Sequence, residues 1–160
     1  MNSDHDKPWW SVLPRTSFGS PGMEERLAAL VVAGRKRATV WDASEGNPTE
    51  PGKRWVVTAR ERPVAVIETV TVHRCSFSNI DADFAFEEGE GDRSLTFWKA
   101  VHETFFKTAG CFAPDMMLWC ETFRLAEVID AAFAASASAH VLAEQAEGEA
   151  LVASLGAPER

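Results

Sequence analysis

The hexapeptide Gly34-Arg35-Lys36-Arg37-Ala38-Thr39 joins an amphipathic segment, Met23 to Ala33, to a β-prone run that begins at Thr39. Gly34 predicts the end of a helix, because glycine readily enters the left-handed conformation that many helix C-termini require. The turn therefore presents three consecutive cations beside a hydroxyl. From these residues alone two interpretations stay open. The turn is a solvated basic loop, or Lys36 and Thr39 together hold an anion or assist a proton transfer.

A second polar stretch, Glu87-Glu88-Gly89-Glu90-Gly91-Asp92-Arg93-Ser94, precedes a predicted helix from Leu95 to Lys107. Two glycines lie among the acidic residues, so the backbone of this loop can approach another group closely. Ser94 is a favourable N-cap for the helix that follows. A purely structural interpretation is also open, since acidic residues complement the positive end of a helix.

Length and composition predict one globular domain. The chain has 160 residues, of which 46% are hydrophobic and 25% charged, which is ordinary usage for such a domain. No apolar run approaches the roughly 18 residues that span a bilayer, and the N-terminus lacks the order of a secretory signal. Three widely spaced cysteines do not form a disulfide framework. We therefore predict a cytoplasmic protein without membrane partners.

The charge of the chain is unevenly distributed. Its net charge is −8, but residues 1–80 carry a balance of +2 and residues 81–160 a balance of −10. An acidic protein is a poor non-specific ligand of duplex nucleic acid. A basic cleft on an acidic body favours a small or single-stranded anion as the partner.

Hydrophobic periodicity predicts strands interrupted by helices, which is typical of an α+β fold. We predict helices over 23–33, 81–88 and 95–107, and strands over 38–41, 54–59, 64–73 and 116–125. The middle two strands form a hairpin. On the 95–107 helix, the spacing predicts that one face packs on the core, formed by Trp98, Val101, His102 and Phe105.

Neither metal nor thiol chemistry is predicted. The four histidines, at positions 5, 73, 102 and 140, are scattered, and the single close pair with Cys75 cannot complete a zinc site. His102 is interpreted as a residue at the core edge of its helix. The three cysteines have no neighbouring cations or matched histidine, so they are interpreted as ordinary thiols. No dinucleotide or phosphate-binding glycine motif is present, and we predict no cofactor.

The polar stretches and the segments between them resemble the ASCH domain, in its bacterial stand-alone branch, over roughly residues 17 to 126. The resemblance rests on an ordered set of motifs: Ser17-Phe18-Gly19, Leu27-Ala28-Ala29-Leu30-Val31, Gly34 to Thr39, Pro51-Gly52, Val66-Ile67-Glu68, Glu87 to Trp98, Phe105-Phe106 and Glu121-Thr122-Phe123. It implies a small closed β-barrel of the PUA-like type with helices at its mouth. We accordingly expect a tail over 1–14, an ASCH domain over 15–127 and an Ala-rich helical extension over 128–160.

The extension lies outside the family pattern. Its apolar positions are few and small, which predicts little contribution to the stability of the domain. It could pack on the barrel, pair with a second subunit or stay loose. In the N-terminal tail, Trp9-Trp10 and Val12-Leu13 are expected to pack on the domain.

Related ASCH proteins include small amidohydrolases that remove the acetyl group from 4-acetylcytidine. In these, a lysine and a threonine three residues on share one cleft with a glutamate. The resemblance assigns these positions to Lys36, Thr39 and, after a one-residue gap, Glu90, with Glu88 as the alternative acid. This chain departs from the pattern at Trp41, where the amidohydrolases carry arginine. A wider ASCH pattern also has glutamate at the position of Thr39.

On this reading Thr39 is the nucleophile and Lys36 its base. Lys36 would need a lowered pKa, which we expect from the adjacent cations Arg35 and Arg37 and from burial. Glu90 would be the acid, kept protonated by the like charges around it.

Two further functions stay open. Other ASCH domains are RNA-binding modules, and cations near aromatic side chains could hold single-stranded RNA or a nucleotide. The residues predicted to bind substrate or RNA are Arg35, Arg37, Trp41, Lys53, Arg54 and Trp55. A metal-independent ribonuclease, with Lys36 and Lys53 as acid and base, ranks third. The predicted partner is RNA or a small nucleoside, and an oligomer could form through the C-terminal helix.

Overall fold

A computed structural model describes residues 6–156. The first five residues, which include His5, and the last four lie outside the described residues. Along the described chain the strands and helices are β1 (Arg15–Thr16), α1 (Glu24–Val32), β2 (Ala38–Asp42), β3 (Arg54–Ala59), β4 (Arg62–Ser76), α2 (Ala82–Glu88), α3 (Leu95–Thr108), β5 (Met117–Val128) and α4 (Ala131–Leu155). Short 3-10 helices cover Trp9–Val12, Ala43–Glu45 and Phe77–Asn79.

The strands form one mixed sheet in the order β1-β3-β4-β5-β2. β3 and β4 make the predicted hairpin, and its two-residue turn, Arg60 and Glu61, has positive φ at both positions, as a type I′ turn requires. β5 pairs antiparallel with β4 on one side and with β2 on the other. β1 joins the far edge parallel to β3. The α+β class is confirmed, with a barrel-like sheet whose strand order has β1 and β2 at its two ends.

Two clusters of buried side chains hold helices against the sheet. The larger cluster joins α1 and α4 to β3, β4 and β5, and in it the ring of Phe18 stacks on Phe123 at 5.6 Å. The second cluster packs Trp98 and Phe106 of α3 against Leu118 and Cys120 of β5. α1 and α3 therefore pack on the sheet through different clusters.

The predicted elements agree with the observed ones to within a few residues, and the largest difference is the length of β4. One face prediction is wrong. Phe105 is 45% exposed, whereas Phe106 is 4% exposed and belongs to the second cluster. The buried line on α3 follows Trp98, His102 and Phe106 at intervals of four residues. The predicted face stepped by three residues from Trp98 to Val101. It therefore ended at Phe105, which is exposed, and not at Phe106.

The C-terminal helix packs on the domain through α1. Phe133 and Ala137 are buried in the larger cluster, and this packing argues against the expected small contribution of the helix to stability. The tail packs less than predicted, since Trp9 is 49% and Val12 87% exposed. Trp9 is held by its indole N–H, which donates to Glu127 at 2.8 Å. Over residues 6–156, no helix is both long and apolar enough to cross a membrane.

Candidate functional site

Lys36 is buried by the way in which α1 ends. Gly34 takes φ +76°, and the backbone N–H groups of Arg35 and Lys36 both donate to the carbonyl of Leu30, at 2.9 and 3.0 Å. This tight C-terminal turn directs the Lys36 side chain inward, where the residue is 2% exposed. The solvated-loop interpretation is therefore wrong for Lys36, although Arg37 beside it is exposed.

The Lys36 ammonium is fully engaged. Its Nζ donates to the carbonyls of Ala38 at 2.8 Å and Glu88 at 3.3 Å, and to Oε2 of Glu90 at 2.9 Å. Oε1 of Glu88 lies 3.6 Å from the same nitrogen. The expectation that Lys36 and the acidic loop share one cleft is thus confirmed, and both Glu88 and Glu90 contact the lysine.

The environment of Lys36 fixes its charge. Burial alone would lower its pKa, but the carboxylates of Glu90 and Glu88 outweigh this effect, so the pKa of Lys36 is raised above its ordinary value. The predicted lowering is wrong. Arg35 and Arg37 are neighbours in sequence, whereas the groups that surround Nζ in space are anionic. Lys36 is an ammonium at neutral pH.

The acidic loop reaches Lys36 because α2 ends against the turn before β2. Gly89 is the left-handed C-cap of α2, and a Cβ there would collide with the carbonyl of Arg35. The N–H of Arg37 donates to the carbonyl of Glu87 at 2.8 Å. Glycine at position 89 is therefore required for the close backbone approach that brings together residues some 50 positions apart.

Glu88 connects Lys36 to α3. Its Oε2 accepts the indole N–H of Trp98 and lies 3.2 Å from Nε2 of His102. His102 stacks on the Trp98 ring at 4.1 Å, and its Nδ1 lies 2.8 Å from the carbonyl of Trp98. Both ring nitrogens therefore face acceptors, an arrangement that suits the doubly protonated imidazolium.

Charges of opposite sign alternate through this cluster of Lys36, Glu88, Glu90 and His102. Burial would lower the pKa of His102, but the Glu88 carboxylate raises it overall. Burial would raise the pKa of Glu88, but Lys36 and His102 lower it overall. Two cations thus balance two anions, which reduces the cost of burying them.

An open cavity of about 770 Å³ lies over the cluster. Lys36, Thr39, Glu88, Glu90 and His102 supply its polar wall, and most of its other lining is apolar. The apolar lining comes mainly from α1 and the segment before it, from α3 and from α4, and includes Met23, Leu27, Val101, Phe105, Leu151 and Leu155. This size and this mixture of walls are typical of sites for small organic ligands.

A second polar group lies inside the sheet and was missed by sequence reasoning. Glu121 is 2% exposed and accepts the indole N–H of Trp41 at 3.0 Å and the hydroxyl of Thr69 at 2.8 Å. Burial raises its pKa, against the effect of those two hydrogen bonds. Thr39 lies directly opposite Glu121 in the β2–β5 register. The signal available in the sequence was an acid between Trp119 and Phe123, at a position where the alternation of β5 places apolar side chains.

The residues predicted to bind substrate are not gathered around the cavity. Arg35 donates to Gly89 and Gln145, both at 2.7 Å. Arg37 pairs with Glu87 at 3.1 Å, and Arg54 with Glu68 at 3.0 Å. Trp55 donates its indole N–H to Thr49 at 3.1 Å, and the Lys53 ammonium lies 4.3 Å from the Trp55 ring centre. All six predicted residues are among those that the structure describes, and none of them lines the cavity.

Three potential metal ligands meet in the cluster. Glu88, Glu90 and His102 each place one ligand atom within 4.8 Å of the others. These ligand atoms already have partners in the protein. The Lys36 ammonium lies between the two carboxylates, and both His102 nitrogens face acceptors. The arrangement suits an ammonium better than a divalent ion, which Lys36 would repel.

Comparison with known proteins identifies the domain that carries this site. The family model for the ASCH domain matches residues 14–127. The crystal structure of an ASCH domain from Lactobacillus crispatus JV V101 is 31% identical, with a TM-score of 0.64 over 72% of this chain and 80% of that one. A protein of Enterococcus faecalis V583 is 30% identical, with a TM-score of 0.63 over 73% and 82%. No curated protein matches the chain.

Proposed function

The chain belongs to the ASCH domain family, and on this premise we propose that it is an amidohydrolase that acts on an acylated pyrimidine nucleoside such as 4-acetylcytidine. One observation carries the proposal. The Lys36 ammonium and the Glu90 carboxylate, 2.9 Å apart, lie in the wall of a cavity that Thr39 also lines. A nucleophile, a proton acceptor and a cation that can stabilise an oxyanion thus border one space.

Because Lys36 is an ammonium, Lys36 and Glu90 exchange the roles of base and acid that the sequence suggested. An ammonium cannot accept the proton of Thr39, whereas a carboxylate can. In the proposed reaction Glu90 is the general base and Lys36 stabilises the oxyanion of the tetrahedral intermediate. Lys36 also donates the proton that the leaving amine requires.

The proposed reaction passes through an ester of Thr39. The Thr39 oxygen bonds to the acyl carbon while its proton passes to Glu90. The carbon–nitrogen bond breaks as Lys36 protonates the amine, which releases cytidine and leaves the acyl group on Thr39. The proton on Glu90 returns to Lys36 across their 2.9 Å contact. Water then bonds to the ester carbon while its proton passes to Glu90. The bond to Thr39 breaks, Glu90 returns the proton to the Thr39 oxygen, and the acyl group leaves as the free carboxylic acid.

Glu88 and His102 have a supporting role in this proposal. Glu88 holds the second charge beside Lys36, and His102 compensates Glu88 from the other side. Because the four charges balance, Lys36 can remain an ammonium in a buried position before and after each cycle. Neither residue needs to exchange a proton with the substrate.

The experiment is a chromatographic assay of cytidine release from 4-acetylcytidine and other acylated nucleosides. Wild type is compared with Thr39→Ala, and Thr71→Ala is the matched control, because Thr71 is exposed on β4. We expect release by wild type and the control, and a loss of about 100-fold or more in Thr39→Ala. Inactivity of wild type on the whole panel would refute the proposal and favour the binding module. Activity that survives in Thr39→Ala would assign direct attack by water instead.

A further inference from the structure

We infer that helix α4 is part of the site, because Glu144 and Gly148 fix the loop that carries Glu90. Oε2 of Glu144 accepts the backbone N–H of Gly91 at 2.8 Å, and Glu144 is 5% exposed. The family match ends at residue 127, so these are positions that the ASCH resemblance does not cover. The inference rests on the proposed function in treating Glu90 as a reacting group.

Gly148 lets the helix approach the loop. A Cβ at this position would collide with the backbone of Gly91 and Asp92. Glycine in the interior of a helix is less favourable than alanine, and this close approach explains its presence in an alanine-rich helix. Glu144 and Gly148 are four residues apart and therefore lie on one face of α4.

Arg35 completes the attachment from the other side. Its guanidinium donates to the carbonyls of Gly89 and Gly91 and to the side-chain oxygen of Gln145. The backbone is thus held on both sides of Glu90. Arg26 of α1 binds Glu144 at 3.3 Å and Glu147 at 3.0 Å, which ties α4 to the body of the domain. Glu90 therefore reaches Lys36 from a loop that α4 and Arg35 hold directly, and Arg26 holds α4 in turn.

The same helix face continues into the cavity. Leu151 and Leu155 line the cavity, and they follow Gly148 at about 4.5 and 10 Å along the helix axis. A shift of α4 would therefore move the loop and the apolar wall together. Glu144 and Gly148 are positioning residues in this account, since neither is proposed to touch the substrate.

The test uses the full chain and two kinds of readout. Glu144→Ala removes the acceptor of the Gly91 N–H, whereas Glu144→Gln retains one, and Gly148→Ala forces the helix and loop apart. Glu147→Ala is the control, because it removes an exposed partner of the same arginine. Amide exchange over residues 89–93 reports the loop, and cytidine release from 4-acetylcytidine reports kcat and KM separately.

We expect exchange over 89–93 to rise about tenfold or more in Glu144→Ala and in Gly148→Ala. Exchange in β3 should stay unchanged, and Glu147→Ala should behave as wild type. The kcat should fall more than KM changes in these two variants, and Glu144→Gln should restore most of both properties. If Glu144→Ala does not fold, Gly148→Ala gives the same readouts.

Unchanged loop exchange in Glu144→Ala and Gly148→Ala would overturn the inference. Faster exchange with an unchanged kcat would also overturn it, because the loop would then be anchored without effect on the site. If wild type has no amidohydrolase activity but the exchange results hold, the proposed function fails while the anchoring of the loop is supported.

Discussion

At the scale of the residue, the spatial neighbours of Lys36 decide its chemistry. The sequence places it between two arginines, which suggested a lowered pKa and a role as base. In the fold its Nζ meets two carbonyls and two carboxylates. Burial would lower the pKa of Lys36, but the carboxylates of Glu90 and Glu88 raise it overall. A prediction from adjacent residues failed because the backbone turn directs Lys36 inward and leaves Arg37 outside.

His102 and Glu88 show what the sequence could and could not reveal. Trp98 and His102, four residues apart on a helix with an apolar face, indicated that both would lie on one side. A histidine on such a face requires a polar partner, because burying an unpaired polar group is costly. The identity of that partner depended on where α2 ends, which the local pattern does not specify.

The contribution of His102 to the free energy of unfolding should decrease as the pH rises. Its pKa in the folded state is raised above 6.5, so its stabilising contribution is fully present below about pH 6.5 and is lost as pH rises through the folded pKa. We expect His102→Asn to destabilise the protein strongly at pH 6 and progressively less at higher pH. Chemical denaturation at several pH values measures this difference.

His73→Asn is the matched control for that experiment, because His73 is exposed. Its effect on the free energy of unfolding should be small throughout. A penalty for His102→Asn that does not change with pH would contradict the assigned ion pair with Glu88. It would indicate that His102 contributes through packing on Trp98 alone.

At the scale of the element, short periodic segments were predicted well, and the alanine-rich helix was predicted without its packing. β3 was predicted with its observed bounds, because a continuous run of aromatic and β-branched residues lies between turn segments. α4 offered only isolated apolar residues, so its packing face could not be read from periodicity. Gly148 and the buried carboxylate of Glu144 also attach α4 to the domain. Neither residue type contributes to a hydrophobic pattern.

The packing of α4 predicts unequal effects for two apolar residues on the same helix. Phe133 is 4% exposed and Leu142 is 72% exposed. We expect Phe133→Ala to cost about 3–5 kcal/mol of folding free energy, because it leaves a cavity in the main core. Leu142→Ala should change stability by less than about 0.5 kcal/mol. Equal and small effects, measured by denaturation, would restore the view of α4 as an accessory element.

At the scale of the whole molecule, paired charges reduce the surface available to RNA. Arg35, Arg37 and Arg54 are each engaged by acceptors of the protein itself. We therefore expect labelled single-stranded RNA to bind weakly at low salt and not detectably at physiological salt. Fluorescence titration at both salt concentrations measures this. Binding at physiological salt that an Arg37→Ala/Arg54→Ala variant weakens would favour the RNA-binding module.

The class of fold and the meeting of two distant motifs were both predictable, since an ordered set of motifs over more than 100 residues specifies the domain. The balance of charges in the cavity wall could not be predicted from the sequence. It arises from the ends of α1 and α2 and from the face of α3, whose relative placement depends on tertiary packing.

The measurement that bears most directly on the proposed site is the rate of cytidine release from 4-acetylcytidine by Glu90→Gln. This substitution keeps the shape of the side chain and removes its ability to accept a proton. We predict that wild type releases cytidine and that kcat falls about 100-fold or more in Glu90→Gln, while Glu87→Gln, in an exposed pair with Arg37, keeps the wild-type rate. A Glu90→Gln variant as fast as wild type, or a wild type without activity, would contradict the account.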